Sequence, residues 1–352
     1  MVYDLLIRNA NVLDGSGAAH FRADVAIQGE RICAIGDMPY ATATTIIDAQ
    51  ERYLAPGFID VHTHDDTNVI RTPEMLPKLT QGITTVVVGN CGISASPVTL
   101  TRDVPDPMNL LGKLEDFRYP SFSAYANAVD AAAPSINVAA LVGHTSLRSQ
   151  VMDSFARPAT HEEIANMEVL LSQALDEGAL GLSSGLAYRN AIHAPTNEMA
   201  PLVAAVGKSG GVYTTHLRDE FAGLMDAMDE AFSTARDGQV PLVISHLKCA
   251  GAGNWGGAGK ALSKLETAAQ HQHAHCDCYP YTAGSSTLDL GQVTDEIEIT
   301  ITWSTPHPEQ ARRPLKEIAA EWGVSLLDAA KQLQPAGAVY HNMSEADMQQ
   351  VL

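Results

Sequence analysis

The sequence predicts an α/β protein with a (β/α)8 TIM-like barrel, whose eighth strand we expect to be missing from this chain, and a small N-terminal β-sandwich part. Two observations support this prediction. Residues 1–54 contain short strand-like runs without helical segments between them. From about residue 55, apolar strand patterns alternate with helical patterns, and the length of this region favours a barrel over an open sheet.

Residues 1–54 are predicted to supply half of a composite β-sandwich. Strand-like runs lie at 5–7, 25–27, 32–35 and 46–49, and residues 28–31 suit a hairpin turn. These strands are too few for an independent sandwich, so they need a partner sheet. We expect the second half of this domain to lie outside the chain.

Residues 55–352 are predicted to form an incomplete hydrolase barrel. Its expected strands are 57–62, 83–89, 138–143, 180–184, 212–216, 241–246 and 274–279. Among the helices between them, one should begin at a capping box made by Thr160 and Glu163 and end at Gly178, which suits the position after a helix.

Residues 288–342 do not read as an ordinary crossover between barrel strands. A strand-like stretch at 293–303 precedes helical turns at 308–333, so we expect an insertion over the barrel mouth, which could act as a lid. A further capped helix should begin at Ser344. Since a barrel needs its last strand to close, we expect that strand beyond Leu352.

Composition excludes several classes of function. The formal net charge of −19 disfavours nucleic acid and anionic membranes as partners. No apolar run is long enough to cross a bilayer, and no basic segment leads into an apolar one at the N-terminus. The five cysteines, odd in number and within strand-like runs, argue against a disulfide framework. We expect a cytoplasmic protein with a small-molecule substrate, and oligomeric state is not predicted.

Potential metal ligands stand at the ends of four predicted strands. His62 and His64 are one residue apart, so in a strand both side chains point the same way. Cys91, His216 and His246 follow the second, fifth and sixth strands. Because strand ends meet at one face of a barrel, we expect these groups to converge there. Imidazole and thiolate together suit zinc better than magnesium or calcium.

Two other groups of potential ligands are weaker candidates. The histidines at 271, 273 and 275 precede the seventh strand and should lie on the opposite face of the barrel. Cys276 and Cys278 share one face of that strand, but two thiols separated by one residue are weak evidence for zinc. Packing in the barrel wall is the simpler interpretation of this pair.

At these residues the sequence resembles the amidohydrolase superfamily and, more narrowly, the N-acyl-D-amino-acid deacylases, or D-aminoacylases. The segment Pro-Gly-Phe-Ile-Asp-x-His-x-His within 56–64 marks the superfamily. The segments Gly-Asn-Cys-Gly at 89–92 and Ser-Ser-Gly-Leu-x-Tyr at 183–188 are more specific to the deacylases. Further carriers lie at 143–145, 215–218 and 245–248.

The resemblance implies roles for particular residues. Cys91, His216 and His246 would hold one tightly bound zinc, and His62 and His64 would form a second, weaker metal position that shares Cys91. Tyr188 would lie near the scissile carbonyl. Residues expected to bind the substrate are Lys248, Tyr279 and Ser285. The family's general base, an aspartate, has no match in this sequence, so we expect it outside the chain.

The expected activity is zinc-dependent hydrolysis of the amide bond of N-acyl-D-amino acids, which gives a carboxylate and a free D-amino acid. Many relatives bridge two metals with a carbamylated lysine on strand four, and this sequence offers no lysine there. Two alternatives stay open: a cyclic-amide hydrolase of the dihydropyrimidinase or dihydroorotase kind, and a metal-binding fragment without turnover. On the residues alone, Tyr188 is equally well a loop residue with a solvated hydroxyl.

Overall fold

The computed structural model describes residues 2–352, which divide into two compact units. The first comprises the residues up to Phe58 together with Gly82–Thr84, and the second comprises Ile59–Gln81 and Thr85–Leu352. Each unit has its own core, and every residue proposed above for the metal site lies in the second.

The first unit contains one five-stranded sheet. Its strands are β1 (Val2–Val12), β2 (Phe21–Gln28), β3 (Arg31–Gly36), β4 (Thr42–Asp48) and β5 (Tyr53–Leu54). The order is β3-β2-β1-β4, with β5 also beside β1. The β2–β3 hairpin turns at Gly29 and Glu30, between the paired residues Gln28 and Arg31, as the sequence predicts. A second layer of the predicted sandwich stays a prediction.

The second unit alternates strands and helices up to residue 276. Its strands are β6 (Phe58–Asp60), β7 (Ile83–Val88), β8 (Val98–Thr99), β9 (Arg118–Tyr119), β10 (Asn137–Ala140), β11 (Val142–Gly143), β12 (Gly181–Gly185), β13 (Val212–His216), β14 (Leu242–Ile244) and β15 (Ala274–Cys276). The helices are α1 (Asn68–Arg71), α2 (Leu76–Leu79), α3 (Phe122–Ala132), α4 (His144–Val151), α5 (His161–Asp176), α6 (Thr196–Ser209), α7 (Leu224–Asp237) and α8 (Ala258–Ala269).

The principal strands of this unit pair in sequence order, as a (β/α) chain requires. One sheet has the order β10-β7-β6 and a second has the order β11-β12-β13-β14-β15. The predicted third strand is interrupted at Leu141, where β10 pairs with β7 and β11 pairs with β12, both in parallel. These strands are short, and β12 is buried at all five positions, so both of its faces are covered.

Helix α5 begins as its sequence predicts. The Thr160 hydroxyl accepts a hydrogen bond from the Glu163 amide at 3.2 Å, and the Glu163 carboxylate accepts one from the Thr160 amide at 2.8 Å. Gly178 then adopts a φ of 107°, which a residue with a side chain rarely adopts. The capping box and the terminal glycine therefore set both ends of this helix.

Residues 284–351 add a separate antiparallel sheet and three helices. The elements are β16 (Gly284–Thr287), β17 (Ile299–Ser304), β18 (Ala336–Tyr340), α9 (Leu315–Trp322), α10 (Leu326–Leu333) and α11 (Glu345–Val351). The strand order is β16-β18-β17, and its residues pack with α9 and α10 in one hydrophobic cluster. The strand predicted at 293–303 begins only at Ile299, because 290–298 form a short 3-10 turn and a bend. In the described part of the chain, no helix has the length and hydrophobicity needed to cross a membrane.

Candidate metal centre and active site

Three ligand-type side chains from separate strand ends meet in the second unit. The Sγ of Cys91 lies 3.4 Å from Nε2 of His246, and that nitrogen lies 3.0 Å from Nδ1 of His216. The donor atoms of all three residues fall within 4.8 Å of one another. The structure thus brings together the three residues for which the resemblance implies a tight zinc site.

A second group of donors shares Cys91. Nε2 of His62 lies 3.2 Å from the same sulfur, and His62, His64 and Cys91 again place their donor atoms within 4.8 Å of one another. Nδ1 of His64 is buried and has no hydrogen-bond partner among the described residues. A buried polar atom without a partner costs free energy, and a bound cation would remove that cost.

The donor set fits zinc. Tetrahedral zinc with ordinary bond lengths separates its nitrogen and sulfur ligands by about 3.3–3.6 Å, and the three separations measured here are 3.0–3.4 Å. Nitrogen lone pairs and a thiolate that face one another repel unless protons or a cation lie between them. The mixture of imidazole and thiolate favours zinc over cations that prefer oxygen ligands.

The loop that carries Cys91 has an uncommon backbone conformation. Cys91 itself has a φ of 55°, and His246 has a φ of 37°. Such values in residues other than glycine cost about 1–3 kcal/mol and persist only when their surroundings enforce them. Gly89 and Gly92 flank the cysteine with φ of 79° and 77°, and a Cβ at Gly89 would lie 2.2 Å from the Leu141 carbonyl oxygen. The Gly-Asn-Cys-Gly sequence is therefore required by this turn.

Two buried side chains hold the cysteine loop in place. The carboxylate of Asp66 accepts hydrogen bonds from the amides of Gly89 at 3.2 Å and Ala95 at 3.1 Å. On strand β12, the Ser183 hydroxyl accepts one from the Gly92 amide at 2.9 Å. The aspartate next to the His-x-His segment thus joins the loop after the first strand to the loop after the second.

The electrostatic environment favours a thiolate at Cys91. Burial opposes ionisation, but His62 and His246 outweigh it and lower the Cys91 pKa well below its usual value. For His62, burial also opposes the charged form, but Cys91 and Asp277 raise the pKa to about 10. The thiolate is the form of cysteine that binds metals.

Two carboxylates contact the histidines and were missed by the sequence reasoning. Asp277 accepts a hydrogen bond from the His246 amide at 2.6 Å and lies 3.1 Å from Nδ1 of His62. Glu220 lies 2.9 Å from Nδ1 of His246. Asp277 follows β15 directly, so the rule that strand ends carry the site would have found it, whereas Glu220 lies four residues beyond β13 and no pattern indicates it.

Of the four residues expected to act on the substrate, three lie beside the candidate ligands or the cleft next to them, and one does not line that cleft. The Tyr188 hydroxyl lies 3.3 Å from Nδ1 of His216. Lys248 and Tyr279 border a cleft beside His246. Ser285 lies on β16, opposite Val339 of β18, and is exposed; it is not among the described residues that line this cleft.

The fold and these motifs define the chain as an amidohydrolase. Residues 45–351 match the amidohydrolase family, and the chain belongs to that family. It is 42% identical to the D-aminoacylase of Alcaligenes xylosoxydans xylosoxydans over 99% of this chain and 72% of that protein. It is 43% identical to the N-acyl-D-aspartate deacylase of the same organism, over 99% of this chain and 70% of the relative.

Solved structures give the same assignment. The chain superposes with a TM-score of 0.95 on the N-acyl-D-glutamate deacylase of Bordetella bronchiseptica, solved with zinc and a phosphonate mimic of the tetrahedral intermediate. That pair is 39% identical, over 100% of this chain and 74% of the other. The L-hydantoinase of Arthrobacter aurescens is 14% identical, with a TM-score of 0.52 over 79% of this chain and 59% of that one, and shares the fold alone.

Proposed function

We propose that this protein hydrolyses the amide bond of N-acyl-D-amino acids with zinc as its cofactor. One observation carries the proposal: two groups of metal-ligand side chains share the single sulfur of Cys91. Strand β12, the fourth of the predicted barrel strands, has the sequence Gly-Leu-Ser-Ser-Gly and offers no lysine for a carbamate bridge. The D-aminoacylase and N-acyl-D-aspartate deacylase relatives, at 42–43% identity, support the same substrate class.

The ligand assignment follows the two groups. Cys91, His216 and His246 would hold the tight zinc, and His62 and His64 would hold a second, weaker ion through the same sulfur. Zinc, when bound, polarises a carbonyl and makes a water molecule more acidic. The chain's own contribution is to fix the donors, since the strained loop of Cys91 cannot relax without breaking its hydrogen bonds to Asp66 and Ser183.

Tyr188 is the catalytic residue that this geometry favours. Its hydroxyl lies beside the ligand His216, so a substrate carbonyl drawn to the metal would come within its reach. Burial, together with the nearby Cys91, raises the Tyr188 pKa well above its ordinary value of about 10, so the phenol keeps its proton at neutral pH and can donate a hydrogen bond to the developing oxyanion. One such donor is typically worth about 3 kcal/mol of transition-state stabilisation.

Glu220 and Asp277 are both occupied by contacts to the candidate ligands, which makes them poor candidates for the group that takes the proton of the attacking water. Both oxygens of Asp277 already accept hydrogen bonds, from the His246 amide and the His62 ring. Glu220 is engaged by Lys248 at 2.6 Å and by His246. The general base is therefore consistent with the separate aspartate that the deacylase pattern implies.

Lys248, Tyr279 and Ser285 are proposed to contact the substrate, with residues 288–342 as a lid. Lys248 and Tyr279 border the cleft beside His246. Ser285 directly follows Gly284, where a Cβ atom would lie 3.7 Å from the Tyr279 hydroxyl, so this part of β16 is close to Tyr279. The pairing of strands in sequence order within the two parallel sheets supports a (β/α)8 barrel. The five free cysteines, two of them exposed, support a reducing compartment, the cytoplasm.

A substrate panel tests the proposal. Zinc-loaded and chelator-treated protein would be assayed with N-acetyl-D-methionine, its L enantiomer, N-acetyl-D-aspartate, N-acetyl-D-glutamate and dihydrouracil. We expect release of free D-amino acid from at least one N-acetyl-D substrate, loss of that release with chelator, and no turnover of the L enantiomer. Ring opening of dihydrouracil without deacylation would favour the cyclic-amide alternative, and stoichiometric zinc without turnover of any substrate would favour the non-catalytic one.

A further inference from the structure

The carboxylate of Glu220 lies close to two histidines of the candidate zinc site. Its Oε1 lies 2.9 Å from Nδ1 of His246, and its Oε2 lies 3.6 Å from Nε2 of His216. These two nitrogens are the ones that do not face the sulfur of Cys91. One carboxylate therefore reaches the outer edges of two rings that come from different strands.

The two histidines present opposite ring nitrogens to the metal position. His246 directs Nε2 toward Cys91, and His216 directs Nδ1 toward His246 and the Tyr188 hydroxyl. A neutral imidazole carries one N–H, and only its other nitrogen can bind a metal. The His246 proton must therefore be on Nδ1 and the His216 proton on Nε2, where each faces Glu220.

Glu220 is itself held in place by the neighbouring strand end. Its carboxylate accepts a hydrogen bond from Nζ of Lys248 at 2.6 Å, and its backbone carbonyl accepts one from the Ala250 amide at 2.8 Å. Side-chain exposure is only 12% for Glu220 and 10% for Lys248. Contacts from the end of the sixth strand therefore restrict Glu220, which itself follows the fifth strand.

We propose that Glu220 is a positioning residue that fixes the tautomer and orientation of both His216 and His246 for metal binding. The inference rests on the proposed zinc site and adds a residue that acts through its ligands. A carboxylate behind a ligand imidazole orients the ring and raises its basicity, and loss of such a group typically weakens metal binding by about 10- to 100-fold. Here one group serves two ligands of the same ion.

Lys248 provides a competing explanation. Its Nζ lies 2.7 Å from Nδ1 of His246, so Glu220 could act only by neutralising this ammonium. The two explanations differ in the double variant Glu220→Gln/Lys248→Met. If Glu220 merely screens Lys248, removal of both charges restores the site, whereas a positioning carboxylate is still missing.

The test measures zinc affinity by chelator competition in wild type, Glu220→Gln, Lys248→Met and the double variant. We expect Glu220→Gln to weaken binding by about 10- to 100-fold, the double variant to stay weakened, and Lys248→Met to weaken it less than Glu220→Gln, because the Ala250 amide still holds the Glu220 backbone. Glu230→Gln is the matched control, because Glu230 is a half-buried carboxylate that pairs with Arg218. Wild-type affinity in Glu220→Gln, or its recovery in the double variant, would overturn the inference.

Cobalt substitution gives a readout independent of turnover. The visible absorption of Co²⁺ reports ligand geometry, and we expect it to change in Glu220→Gln and not in Glu230→Gln. If Glu220→Gln does not fold, Glu220→Asp decides, since it keeps the charge but withdraws the carboxylate from the two rings; unchanged zinc affinity there would refute the positioning role. Failure of wild type to bind zinc would instead refute the proposed metal site.

Discussion

Two buried polar clusters of the second unit contain a histidine next to a strand end, yet they differ in chemistry. Around Cys91, the histidine nitrogens face other metal-ligand atoms at 3.0–3.4 Å. In the second cluster, His144 faces Glu198 at 2.9 Å, and Arg148 bonds the same carboxylate. In both clusters a histidine nitrogen meets a carboxylate, so a buried imidazole is a candidate ligand when its other nitrogen also faces further metal-ligand atoms.

The second cluster satisfies its own charges. All three of its side chains are fully buried, and the other oxygen of Glu198 accepts a hydrogen bond from the Ala159 amide at 2.9 Å. The Arg148 guanidinium also donates a hydrogen bond to the Arg157 carbonyl at 2.9 Å. The cluster therefore joins helices α4 and α6 to the segment between α4 and α5.

The largest effect is expected from Cys91→Ala, which removes the one ligand common to both metal groups. We expect stoichiometric zinc to be lost. The zinc affinity should fall by more than the roughly 100-fold that is typical when a residue that hydrogen-bonds a metal ligand is removed. Metal analysis of the purified protein measures this result. Cys249→Ala is a matched control, because Cys249 is also a buried free thiol but belongs to neither group.

Glu198→Ala should destabilise the fold without removing the metal. It leaves the buried Arg148 guanidinium unpaired, which typically costs about 3–5 kcal/mol in the free energy of unfolding. Urea unfolding measures the loss, and zinc analysis of the folded fraction should give wild-type stoichiometry. Loss of zinc at unchanged stability would mean that the two clusters are not distinct in function.

The pH dependence of unfolding gives a further test of the second cluster. Burial disfavours the Glu198 carboxylate, but His144, Ala159 and Arg148 outweigh it and lower its pKa from 4.5 to about 2. Because the folded-state pKa is the lower one, this stabilisation is present above about pH 4.5 and is lost as pH falls toward 2. We expect Glu198→Gln to reduce the pH dependence of the free energy of unfolding across that range. A pH dependence equal to that of wild type would contradict the assignment.

Tyr188→Phe should impair catalysis and leave metal binding intact. Removal of one oxyanion donor typically lowers kcat by about 10²- to 10³-fold. Steady-state kinetics on the best substrate of the panel, with zinc content measured in parallel, tests this expectation. Tyr213→Phe serves as the control, since its buried hydroxyl bonds Ser184 at 2.7 Å instead of lying beside a ligand. A kcat within a factor of three of wild type would remove Tyr188 from the mechanism.

The smallest effect is expected at the edge of the metal cluster. Asp277→Asn should weaken the metal position of His62 and His64 by about 10- to 100-fold, because Asp277 orients the His62 ring. The Cys91, His216 and His246 position should lose less, since Asp277 contacts only the backbone of His246. Titration with zinc, read out as two separate affinities, distinguishes the two positions. Equal weakening of both would show that Asp277 supports the whole fold of the site.

Much of the strand arrangement could be predicted from local sequence. Apolar runs such as the one that forms β7 are recognisable without a structure. The interruption at Leu141 and the late start of β17 could not be predicted, because both depend on which neighbouring strand accepts each backbone group. His144 shows the same limit at the site, since by its position after a strand it is indistinguishable from a ligand.

By itself, the sequence determined the family, the strand and helix order and the identity of the candidate ligands, because these depend on residue type and spacing along the chain. The tertiary structure alone decided that Glu220 reaches both His216 and His246, and that the His144 ring faces the Glu198 carboxylate, which Arg148 also pairs with. The physical reason is reach. A hydrogen bond or a metal bond requires atoms to come within about 2–3 Å, and residues far apart in sequence achieve this only through the packing of the whole unit.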